Sequence, residues 1–101
     1  SQFTATIQAI YNSVGENAFK NYSNGKFSKK FHPAIFDSLM VSAYFSISQK
    51  NTLPNVSLET HLSLLADSRF KESISKRTTD IENIKRRISI AGHTLFGVVL
   101  E

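Results

Sequence analysis

The strongest constraint on the fold lies near the end of the chain, between Thr79 and Leu100. Ile81, Ile84, Ile88, Ala91, Leu95 and Val98 recur there at alternating steps of three and four residues. That rhythm lays them along one stripe of an α-helix. The segment opens with Thr79-Asp80-Ile81-Glu82, which reads as a capping box. The Thr79 hydroxyl would accept from the N–H of Glu82, and the Glu82 carboxylate from the N–H of Thr79. Lys85, Arg86, Arg87 and His93 fall off the stripe, so one face of this helix is expected to pack and another to be basic.

The rest of the chain also carries helical spacing. Phe3, Ile7, Ile10, Val14 and Phe19 suggest a first helix from Gln2 to Tyr22, bent or broken at Gly15. Asn21 to Phe31 reads as a loop around the turn dipeptide Asn24-Gly25, made basic by Lys20, Lys26, Lys29 and Lys30. Phe27 and Phe31 are expected to pin that loop to the core. Pro33 suits the first turn of a helix. The segment that follows, to about Ser48, is apolar nearly all round, as expected of a helix at the centre of a bundle. Its lone acid, Asp37, reads as a charge stabilised by the helix dipole. A polar connection, Gln49 to Val56, contains Pro54. Ser57 then caps a third helix, with Leu58, Leu62 and Leu65 on one face. Phe70 and Ile74 continue as a short fourth helix, or as an extension of the third after a break near Asp67-Ser68. No segment alternates convincingly as a strand.

Composition narrows the function classes. A length of 101 residues fits one domain, and the absence of cysteine removes disulfides, thiolate zinc sites and thiol catalysis. The net charge of +4 is a mild excess, compatible with an anionic partner. No apolar run approaches the length of about 20 residues needed to span a bilayer. His32, His61 and His93 lack metal-ligand spacing, so no metal and no cofactor are expected. His61 is expected on the polar side of helix three.

Three segments read together resemble a known family. They are Gly15-Glu16-Asn17-Ala18-Phe19-Lys20, then Lys30-Phe31-His32-Pro33-Ala34-Ile35-Phe36-Asp37-Ser38-Leu39, then Ile74-Ser75-Lys76-Arg77-Thr78-Thr79-Asp80 with Lys85-Arg86-Arg87-Ile88. They resemble the C-terminal helical portion of the GmrSD-like family, modification-dependent restriction and antiphage proteins with a ParB-like nucleotide-binding domain at the N-terminus. The resemblance spans roughly the whole chain and rests on helix starts and core positions. The family's Asp-Gly-Gln-Gln-Arg motif and its His-Asn-His nuclease motif have no counterpart here. The resemblance therefore implies a non-catalytic piece, with catalysis in an upstream domain.

A second pattern belongs to a different class. Arg86 or Arg87 followed by His93 resembles the signature of HEPN ribonucleases. In that family the histidine serves as general base on a ribose 2′-OH while the arginine steadies phosphate charge. Arg86 and His93 are seven residues apart, so they share a helix face about 10 Å apart along the axis.

These features predict an all-α fold, a compact bundle of four to five helices, with helix two central and helices one and five packed on it. Residues 1–101 are expected to form a single helical domain. The start at Ser1 suggests a C-terminal fragment of a longer protein. The expected function is a non-catalytic helical module of a bacterial antiphage, restriction-like protein in the cytoplasm. It would pack on or regulate the upstream nucleotide-binding domain and contact DNA through Lys29, Lys30, Lys85, Arg86 and Arg87. The alternatives are a ribonuclease using Arg86 and His93, or a pure interaction or homodimerisation domain. The surface expected for the latter is the apolar run Leu95 to Leu100.

Overall fold

Gly15 decides where the first helix stops. In the computed structural model, which describes residues 2–51 and 55–99, helix α1 spans Gln2–Val14. Gly15 adopts φ +96°, a conformation that side chains disfavour, and its N–H closes the last turn on the carbonyl of Tyr11 at 2.7 Å. The chain does not resume the helix expected to reach Tyr22. Phe19 leaves through a turn into a β-hairpin instead.

That hairpin corrects the all-α expectation and the loop expected over Asn21 to Phe31. Strand β1, Lys20–Ser23, pairs antiparallel with β2, Lys26–Phe31. Asn24 and Gly25 connect them with φ of +53° and +78°. Positive φ at both central residues makes the connection a two-residue primed turn, whose twist suits a hairpin. Tyr22 and Phe27 meet edge to face across the strands at 4.9 Å between ring centroids. The ladder is irregular: Tyr22 faces Phe27, but Lys20 faces Phe31, so Ser28, Lys29 and Lys30 bulge from β2. Phe27 is half-buried against the core. Phe31 stays largely exposed, yet its ring meets those of Phe19 and Phe36 at 6.2 and 5.3 Å. The N–H of His32 donates to the carbonyl of Phe19 at 2.8 Å, sealing the hairpin base.

Helix α2, Pro33–Lys50, starts with proline in its first turn and ends at Asn51 in the left-handed region. It is not the hub of the bundle that was expected, because it packs mainly on a single helix. Its most extensive helix partner is α5, Ile81–Phe96, and α1 also packs on it. Both α2 and α5 carry small buried residues, Ser38, Ser42 and Ser46 on one, Ala91 and Gly92 on the other. Ser38 and Ser42 satisfy their hydroxyls on the carbonyls of Ala34 and Ser38, so polar side chains sit buried without loss. At the far end, the Lys50 ammonium donates to the carbonyl of Phe96. A lysine of one helix thus caps the negative end of the other.

Helices α3, Leu58–Ala66, and α4, Ser68–Ser75, follow with local caps. Ser57 accepts from the N–H of Thr60 at 3.1 Å. Asp67 accepts from the N–H groups of Arg69 and Phe70 at 2.9 and 3.0 Å. Pro54, expected in the connection before α3, lies outside the described residues. Among the described residues there are thus five helices and one hairpin, and no helix is long and apolar enough to cross a membrane. Ile10, Ile35, Leu39, Leu64, Leu65 and Phe70 are the largest apolar side chains fully removed from solvent.

The start of α5 corrects the expected capping box. The cap is Asp80, whose carboxylate accepts from the N–H of Glu82 at 3.1 Å; Thr79 is exposed. Asp80→Ala should therefore cost about 1 kcal/mol in urea melts, while Thr79→Ala should change stability by only a few tenths. A larger loss at Thr79 would restore the box. The helix ends at Gly97, φ +65°, with Val98 returning to the core.

Candidate functional site

Helix α2 has more apolar surface than its own chain covers. Tyr44 and Phe45 remain 53% and 41% exposed, with ring centroids 5.7 Å apart. They form a ridge on α2, and an open groove runs along each side. The first, of about 590 Å³, lies between α2 and α5. Val41, Phe45 and Gln49 line it from α2 at four-residue steps, so they form one stripe. Glu82, Lys85, Arg86 and Ser89 line it from α5, with Ile88 in the wall and Val99 at one end. The second groove, about 420 Å³, lies between α1 and α2 and is lined by Phe3, Phe36, Met40 and Tyr44, with Asp37 at its margin.

The structure therefore brings Lys85 and Arg86 together on one groove. Both are exposed, and neither is ion-paired: among the described residues the only ion pair joins Asp67 and Arg69, 3.6 Å apart. Lys29 and Lys30 are exposed too, but on the bulge of β2. The hairpin's main seat is on α3, so these lysines share no groove with Lys85 and Arg86.

Arg87 belongs to neither group. Expected on a basic solvated face, it is only 4% exposed. Its guanidinium Nη1 donates to the carbonyls of Thr78 at 2.7 Å and Ser73 at 3.3 Å. It ties the end of α4 to the link before α5. Burial lowers its pKa from the usual value, and the charge of Asp37 opposes that effect. The spacing contained a clue. Arg87 lies three residues after Ile84 and four before Ala91, at the edge of the apolar stripe. The stripe itself is turned from its expected direction. Its first member, Ile81, is 66% exposed, while Arg87, Ile90, Ala91 and Leu95 are buried.

The histidines are dispersed. His93 is exposed in the last turn of α5 and lines neither groove. Arg86 lines the first groove, so neither groove joins the two residues. His32 precedes α2, and burial together with the nearby Arg87 charge lowers its pKa. His61, expected on a polar face, is fully buried. No group of three or more His, Asp or Glu side chains converges on a metal-sized site among the described residues.

The apolar run Leu95 to Leu100 is not the surface it was expected to be. Leu95, Phe96 and Val98 are buried in the chain's own core. Val99 is exposed at one end of the first groove, and Leu100 lies outside the described residues. Sequence reasoning missed the exposed face of α2, although one signal pointed to it. A helix apolar on all sides needs cover on all sides, and few helices are available in a chain this short. Compared with protein-family models, curated proteins and solved structures, the chain matches none.

Proposed function

We propose that this chain is a non-catalytic helical docking module of a bacterial antiphage, restriction-like protein. It packs on a nucleotide-binding domain and regulates it, in the cytoplasm. The observation that carries the docking role is the aromatic ridge of α2. Tyr44 and Phe45 project from the helix that otherwise builds the core, between two grooves that no described residue fills. Each ring is already about half covered, so burying the rest would contribute about 1–1.5 kcal/mol, which favours a protein surface over solvent as its neighbour. The restriction-like setting rests on the resemblance carried by segments 15–20, 30–39 and 74–88. The grooves also leave apart the Arg86 and His93 of the ribonuclease alternative, since His93 lines neither.

The test begins with the native gene. A reading frame encoding an Asp-Gly-Gln-Gln-Arg domain beside this chain supplies the partner. The two should co-elute on gel filtration, and Tyr44→Glu with Phe45→Glu should separate them while the circular dichroism stays helical. Co-elution unaffected by these substitutions would remove α2 from the interface.

DNA contact is a second reading, favoured by the exposed lysines of the β2 bulge. Lys29→Glu with Lys30→Glu should weaken duplex binding. It should also flatten the plot of log affinity against log salt by about 0.9 for each phosphate that is no longer neutralised. An unchanged slope would exclude the hairpin.

A further inference from the structure

The two sides of the first groove differ chemically. Its α2 side is mainly apolar, with Val41 and Phe45 beside Gln49, and Ile88 of α5 adds to that surface. Its α5 rim carries Lys85 and Arg86, neither balanced by an ion pair among the described residues. Val41 to Gln49 covers two helical turns, about 12 Å. The trough is bounded by two helices and open to solvent, which suits an extended occupant better than an enclosed small molecule.

We propose that this groove seats an amphipathic helix whose apolar stripe lies on Val41, Phe45 and Ile88 and whose acidic residues flank that stripe toward Lys85 and Arg86. The inference rests on the docking role proposed for α2 and names the chemistry of the partner. An aromatic wall with apolar neighbours reads an i, i+3, i+4, i+7 stripe, as helix-in-groove recognition does. Lys85 and Arg86, held in no ion pair among the described residues, then select the acidic edge and fix the direction in which the helix lies. Glu82 on the same rim is a repulsive element against acids placed beyond that edge, so the selection is positional. A second copy of this chain is a poorer occupant. The two chains would each bring a net charge of +4 to the contact.

The test uses the full chain and a displayed library of helical peptides with a fixed leucine stripe and randomised flanks. Selection on the wild-type protein should return Asp and Glu on one flank. Acidic binders should exceed charge-reversed counterparts about three- to tenfold in affinity, the effect of one or two rim pairs. Against Lys85→Glu with Arg86→Glu the preference should invert to Lys and Arg, and Phe45→Glu should abolish binding of either kind. Binders indifferent to flank charge but lost on Phe45→Glu would overturn the acidic partner while leaving the docking face intact. A library that yields no binder sensitive to Phe45→Glu would overturn the groove itself. Acidic binders that meet both criteria, with no co-elution of the nucleotide-binding domain, would support the groove and reject the restriction-like setting alone. Dimerisation of the free chain that disappears on Phe45→Glu would overturn the proposal in favour of a second copy.

Discussion

Acidification from pH 7 to pH 4 is expected to remove about 3 kcal/mol of folding stability through His61 alone. The ring is fully buried on α3, and neither of its nitrogens has a hydrogen-bond partner among the described residues. Burial lowers its pKa from 6.5 to about 4. The unfolded chain therefore takes up a proton near pH 6.5 that the folded chain refuses until about pH 4. The stabilising difference is complete above pH 6.5 and is lost as pH falls through that window. His32, whose pKa is also lowered, adds a loss of the same sign. Asp67 acts elsewhere on the scale. Burial raises its pKa, but N–H donors from Phe70 and Arg69 and the Arg69 charge outweigh that, so its contribution is lost only on further acidification, below the ordinary 3.8. Urea melts of the wild type and His61→Leu at pH 7, 5.5 and 4 separate these effects. The variant should gain about 1 kcal/mol at pH 7, because leucine leaves no polar atom unpaired. It should also lose most of the acid sensitivity. Equal pH slopes for the two proteins would refute the assignment to His61.

Replacing Arg87 by Met is expected to destabilise the fold by about 3 kcal/mol. Two carbonyls, of Ser73 and Thr78, would lose their donor, and Asp37 would lose its neighbouring positive charge. Asn83 would still hold the carbonyls of Lys76 and Arg77, at 3.0 and 3.3 Å, so the α4–α5 link should loosen at one end rather than melt. Arg87→Lys should recover only part of the loss, since one ammonium on a shorter stem replaces a planar fork. Substitution of Arg86 by Met provides the contrast. It is exposed and in no ion pair among the described residues, and its removal should change stability by less than about 0.5 kcal/mol. Chemical denaturation of the three variants checks the ranking, and similar costs at positions 86 and 87 would contradict the buried role.

These two residues also show how far sequence reasoning reaches. Helix existence was legible in the spacing of Ile81 to Val98, in Pro33, in Ser57 and in Asp67. All of these are interactions within a few residues, and the structure keeps α2, α3, α4 and α5 near their expected places. The hairpin was half legible. Asn24-Gly25 announced the turn, but alternation was absent because β2 is exposed on nearly every residue, and Phe27 alone among its side chains is half-buried. Its strands are held by one cross-strand ring pair and by the Phe19, Phe31 and Phe36 cluster. Those rings come from three separate segments, so no local pattern could display them.

The candidate site divides in the same way. Lys85 and Arg86 were legible as exposed cations from helical periodicity. Arg87 was not, because adjacent residues differ by about 100° around a helix and the burial of one edge depends on where α4 ends. Local sequence was enough to set the helical periods, the caps at Ser57 and Asp67, and the surplus of apolar residues around α2. Each follows from backbone geometry over one or two turns. Packing of helix on helix settled the rest: which side of α2 stays uncovered, that His61 and Arg87 lie inside, and that Leu95, Phe96 and Val98 complete the core. Those outcomes depend on the rotation of one helix against another, where a turn of a single residue moves a side chain from solvent to interior.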